Sequence, residues 1–148
     1  MNSAPADWTD CIDKNFVRRI TPDISRANSL IETAEERIAQ TPQKLHEKNV
    51  NFVFEDYYTS ILEALQAIAL FLGYKISNHV CLCYFLREHL GRKDLSRVFD
   101  DLRFKRNMLV YYGKRMEFSI ALEAINHSKM LFSQLTNIFR KLKNRYSK

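Results

Sequence analysis

Leu102-Arg103-Phe104-Lys105-Arg106-Asn107-Met108-Leu109-Val110-Tyr111-Tyr112-Gly113 carries three cations and no acid, and ends on two tyrosines and a glycine. Set at about 100° per residue, Arg103, Arg106, Asn107, Val110, Tyr111 and Lys114 fall on one flank of a helix. A second flank collects Leu95, Val98, Phe99, Leu102, Leu109 and Tyr112, enough apolar side chain to bury it. The stretch therefore predicts a helix with one packed face beside a polar stripe of Arg, Asn and Tyr. Such a stripe suits an anion or a nucleotide, and it equally suits a solvated or dimer-buried face.

Outward from this stretch, helical periodicity accounts for the rest of the chain. Upstream, Asp94 is expected to cap the same helix, and Gly91 to stop a preceding one from His79 to Leu90 that Asn78 caps. Before that, Tyr58, Ile61, Leu62, Leu65, Ile68, Ala69 and Leu72 mark a third helix closing at Gly73, with Glu55 and Asp56 in or near its first turn. It is apolar nearly all round towards its end and should be the most buried element. Ile24, Ala27, Ile31, Ala34 and Ile38 recur at three and four residues. Thr21-Pro22-Asp23 reads as their helix start, with Thr21 as cap and Pro22 in the first helical position, and Thr41-Pro42 as its end. Asp7 or Thr9 can cap a short first helix to about Arg19. Downstream, Phe118, Leu122, Ile125, Phe132, Leu135, Phe139 and Leu142 predict a long last helix from about Glu117 to Arg145. No alternating strand pattern and no 20–50-residue repeat is evident. The expected fold is all-α, an up-and-down bundle of about five to six helices in a single domain, 1–148. Residues 1–7 are expected to be flexible and 140–148 to form a basic tail.

The totals agree. A chain of 148 residues is long enough for one good core, and three glycines with three prolines leave little material for turns. Charged residues at 27% and hydrophobic ones at 46% exclude an extended disordered chain. The net charge of +6 is uneven: five cations and no acid from Arg103 to Arg115, six and none from Ala124 to Lys148. Basic surfaces of this kind attract phosphate backbones or acidic proteins. Cys11, Cys81 and Cys83 are odd in number and suit unpaired thiols in a reducing compartment. The run from Ala64 to Leu72 is too short to span a bilayer, and Met1–Asp7 lacks the regions of a signal peptide. Together these predict a cytoplasmic protein with no membrane contact.

Candidate chemistry is sparse. No Gly-rich phosphate loop and no Gly-x-Ser-x-Gly element is present. His79 and Cys83 are four apart, but two further zinc ligands have no obvious source, so no metal or cofactor is expected. His46, His89 and His127 are assigned to surface or satisfied packing, and Cys81 and Cys83 to small buried hydrophobes. Tyr111 and Tyr112 could stack on a base, although half-buried packing is the expected role.

With its flanking helix order, the motif Leu102-Arg103-x-x-Arg106-Asn107-x-x-x-Tyr111-Tyr112-Gly113 resembles the HEPN superfamily of helical domains. The Leu65 to Asn78-His79 segment, with its Gly73-Tyr74-Lys75 turn, and the long last helix fit the same pattern, so the similarity spans roughly residues 21–139. The resemblance implies a bundle that pairs as a homodimer. In ribonuclease-active members an Arg, a polar residue and a His on this helix meet across the dimer. Carried over, Arg106 and Asn107 match the first two, and the His position is Tyr111. Tyrosine, with an ordinary pKa near 10, is a poor general base beside imidazole. Binding of RNA or a nucleotide by Arg103, Lys105, Arg106, Lys114 and Arg115, without efficient cleavage, is the expected function. Two alternatives stand beside it. One is an interaction module of a toxin–antitoxin or defence-type pair with a nucleotidyltransferase-like partner. The other is a metal-independent endoribonuclease using Arg106, Asn107 and Tyr111.

Overall fold

The computed structural model describes residues 3–146. Six α-helices and one two-stranded ribbon make up the regular structure of this part: α1 Trp8–Asp13, β1 Val17–Arg19, α2 Ile24–Gln40, α3 Val50–Leu72, β2 Tyr74–Ile76, α4 His79–Tyr84, α5 Lys93–Tyr112 and α6 Phe118–Tyr146. A π-helical turn, Phe85–His89, extends α4. The fold is the expected all-α bundle. Its axis is α3, which packs against α2 on one side and α6 on the other. Tyr58, Ile61, Leu65 and Ile68 of α3 are all essentially inaccessible to solvent. Burying an aliphatic or aromatic side chain contributes about 1.5–3 kcal/mol, so a helix apolar nearly all round is stable only at the centre.

Several local expectations are corrected. The first helix stops at Asp13 because Asn15 turns into the left-handed region at φ 64°, which asparagine tolerates better than most residues. Val17–Arg19 then leaves the helix and pairs antiparallel with β2, Val17 opposite Ile76. Three residues per strand are too few to register as an alternation. Thr21 is not a cap: the backbone stays outside the helix until Asp23, whose N–H donates to Leu70 O and whose carboxylate accepts from Arg26 N at 3.1 Å. Helix α3 starts at Val50, a turn ahead of Glu55 and Asp56, so these carboxylates lie beyond the first turn. Asp94 is not the cap of α5. Arg92 holds that position and binds Asp94 at 3.1 Å. The Asn78 cap is as expected, accepting from Val80 N and Cys81 N.

Ser3–Asp7 is docked rather than loose: Pro5 is buried and its carbonyl accepts from the Tyr84 hydroxyl at 2.9 Å. The segment's anchor is covalent. Cys11 and Cys81 form a disulfide, Cα–Cα 6.0 Å, which overturns the expectation of unpaired thiols. Only Cys83 remains a thiol. The basic tail continues α6 to Tyr146, and Ser147 and Lys148 lie outside the described residues, as do Met1 and Asn2 at the other end. No helix among the described residues is long and apolar enough to cross a membrane.

Candidate nucleic-acid interface

Helix α5 is seated by Leu95, Phe99 and Leu102, each buried, with Val98 and Leu109 half-covered at the edges. Tyr112, expected on this packed flank, is 75% exposed, and Tyr111 is 68% exposed. The two tyrosines therefore do not pack. Gly113 ends the helix in the left-handed conformation just beyond them, so the chain leaves before a further turn could cover either ring.

The acid-free stretch is not acid-free in three dimensions. Arg103 donates to Asp100 Oδ1 through Nε and Nη2, at 3.1 and 2.9 Å. Lys105 is paired with Asp101. Both carboxylates lie one turn upstream, outside the motif, and partly neutralise two of its three cations.

Arg106 differs. Among the described residues no carboxylate pairs with it. Its guanidinium lies 5.5 Å from the centre of the Tyr58 ring and 5.4 Å from that of Tyr111, within cation–π range of both. Nη1 donates to the Tyr111 hydroxyl at 3.3 Å and reaches Asn107 Oδ1 at 3.5 Å. These contacts are neutral, so the charge is positioned but not compensated.

Beneath Arg106 the structure adds two residues that the sequence had not joined to the motif. Tyr58 of α3 is buried, its ring stacked on Phe99, and burial pushes its phenol pKa well up, with Arg106 and Arg103 opposing the shift. It therefore stays protonated and shares a 3.1 Å hydrogen bond with His79 Nδ1 at the start of α4. The His79 pKa is lowered, first by burial and then by Arg106 and Arg103. A neutral imidazole accepting from Tyr58 at Nδ1 carries its proton on Nε2, a tautomer inferred from the hydrogen bond. His79 thus holds a neutral imidazole against Tyr58, the ring that also carries the Arg106 guanidinium. Residues 58, 79 and 106 are too far apart for any local pattern to group them.

Lys114 and Arg115 occupy the loop after α5, both exposed. Asn51 of α3 holds this loop by binding Met116 twice, accepting from its N–H at 3.0 Å and donating to its carbonyl at 3.3 Å. That brings the Arg115 guanidinium to 6.0 Å from the ring of Phe52, which is exposed. Cys83 Sγ lies 3.6 Å from Asp100 Oδ1, and no cluster of three or more ligating side chains exists among the described residues. Burial, reinforced by Asp100, pushes the Cys83 thiol up to about 12 and keeps it protonated.

No family profile, curated protein or solved structure matches the chain.

Proposed function

We propose that this chain is a HEPN-like helical protein that binds RNA through the Arg106 flank of α5, without efficient cleavage, and works as a homodimer. The observation that supports it is the state of Arg106. It is a guanidinium fixed between two aromatic rings, flanked by Asn107 and lacking a carboxylate among the described residues. Such a group offers paired donors to a phosphate at little cost in side-chain entropy, because packing has already oriented it. Tyr111 supplies an exposed ring beside it on which a base can stack. Cleavage is disfavoured because the imidazole that the resemblance places at position 111 is absent, while His79 is half-buried and engaged with Tyr58. Dimerisation is supported by Phe104, Val110, Tyr111 and Tyr112, large apolar or aromatic side chains of one helix end that the chain leaves uncovered. The same exposed side chains support a second reading, a protein partner of the nucleotidyltransferase-like kind.

The test is binding of a mixed single-stranded RNA pool at low salt without metal, by wild type and by Arg106→Ala, with the products run on a gel. Binding that Arg106→Ala weakens at least tenfold, with the RNA intact, is the expected result. Cleavage that disappears in the variant would replace the reading with an active ribonuclease. No binding by the wild type even at low salt would end it and leave the protein-partner reading.

A further inference from the structure

Between the α4–π segment and α5 lies an open cavity of about 380 Å³. Its wall carries four cations, Arg87, Lys93, Arg97 and Arg103, against one carboxylate, Asp100. Two of the four are already engaged: Arg103 with Asp100 at 2.9 Å and Arg87 with Glu88 at 3.0 Å. Lys93 and Arg97 have no ion-pair partner among the described residues. Tyr84 closes one side, fixed by its hydroxyl on Pro5 O and covered by the Arg87 guanidinium at 4.8 Å. Neither Lys93 nor Arg97 lies in the motif, and the acid-rich sequence around Asp94, Asp100 and Asp101 hides them from a reading of net charge along the chain.

Arg103 is the link. It lines this cavity and lies three residues from Arg106 on the same helix. From Lys93 to Arg106 the helix rises about 20 Å, at 1.5 Å per residue. Over the same rise the helix turns, at about 100° per residue, so that Arg103 stands about 60° around the axis from Arg106 and Arg97 about 120° further. Positive charge therefore passes around α5 from the unpaired Arg106, past the half-neutralised Arg103, to Arg97 and Lys93 at the recess.

We propose that the α4–α5 cavity is a second phosphate subsite, so that a single strand of RNA winds around α5 from Arg106, past Arg103, into the recess lined by Arg103, Arg97 and Lys93. This deepens the RNA-binding reading and rests on it. A single strand fits because its backbone bends into a concave site, whereas a duplex presents its phosphates on a stiff convex surface. Three unpaired cations, Lys93, Arg97 and Arg106, set the ionic contribution. For single strands the logarithmic salt slope is about −0.7 per neutralised phosphate, so affinity falls about 18-fold between 50 and 200 mM salt. With Lys93 and Arg97 removed, one contact remains and the fall shrinks to about 2.6-fold.

The experiment titrates a fluorescently labelled 12-nucleotide oligouridine into the full chain at several salt concentrations. Wild type is compared with Lys93→Gln/Arg97→Gln, with Arg106→Ala, and with Lys44→Gln/Lys129→Gln, which removes the same charge from other parts of the surface. All four are first checked for unchanged helicity. The expected result is a shallower salt dependence in Lys93→Gln/Arg97→Gln and little change in the Lys44/Lys129 control. An unchanged slope in Lys93→Gln/Arg97→Gln, with binding still lost in Arg106→Ala, overturns the subsite and leaves the Arg106 reading intact. An equal loss in the control pair overturns it as well, since the effect would be one of net charge. No binding by the wild type refutes both.

Discussion

Reduction of the Cys11–Cys81 bond should destabilise the protein without changing its folded contacts. Both cysteines are fully buried, and the bond ties α1, with the Ser3–Asp7 segment, to α4, where His79 begins the site. Their separation of 70 residues sets the magnitude. Closing a loop of that length in the unfolded chain removes about 15 cal/mol/K, which at 25 °C corresponds to about 4.4 kcal/mol, near the upper end of what disulfides deliver. With a urea m-value of about 2 kcal/mol/M, the midpoint should fall by about 2 M on reduction. Far-UV circular dichroism in urea, with and without a phosphine reductant, measures this. Alkylation followed by mass spectrometry counts thiols in parallel. The unreduced, unfolded chain should take one label, at Cys83, and the reduced chain three. The native chain should take none, because the Cys83 thiol is buried with its pKa pushed up to about 12. Coincident urea midpoints would refute the loop-closure argument. Three labels without reductant would refute the pairing itself.

Two further outcomes follow from the packing around α3. The His79 pKa is depressed below its ordinary 6.5, so the unfolded chain binds that proton first as pH falls. Stability due to His79 is complete above about pH 6.5 and is lost as pH drops towards the folded value. An NMR titration of the His79 ring should show a midpoint under 6.5 that rises in Arg106→Ala; a midpoint indifferent to that change would remove the Arg106–His79 coupling. Gly73 closes α3 at φ 88°, and an added Cβ would stand 2.9 Å from the backbone oxygen of Ile20. Gly73→Ala should therefore cost about 2 kcal/mol or more, the left-handed penalty plus the clash, whereas Gly91→Ala costs about 1–2 kcal/mol from conformation alone. Equal urea midpoints for the two variants would count against the close approach at Gly73.

The amino-acid sequence by itself determined the helices and the centre of the bundle. Period and punctuation are local: the apolar repeat of α3, the Asn78 cap and the left-handed Gly73 and Gly113 all act within a few residues of themselves. The pairing of Arg103 with Asp100 and of Lys105 with Asp101 was also legible, as i,i+3 and i,i+4 neighbours, once the window is extended one turn upstream of the motif. The identity of the cysteine pair was not legible. Three cysteines allow three pairings, and only the fold brings position 11 within 6.0 Å of position 81. Nor could β1 and β2 be read, since each is three residues long and is held by a partner more than fifty residues away. The candidate site divides in the same way. Arg106, Asn107 and Tyr111 stand out on one helix, but the tertiary structure decided that Arg106 keeps its charge uncompensated above Tyr58 and His79. It also decided that Lys93 and Arg97 line the recess beside Arg103. The physical reason is range: helix periodicity and capping act over one or two turns, whereas burial, ring stacking and the sharing of a cavity depend on which surfaces meet when α3, α4 and α5 pack together.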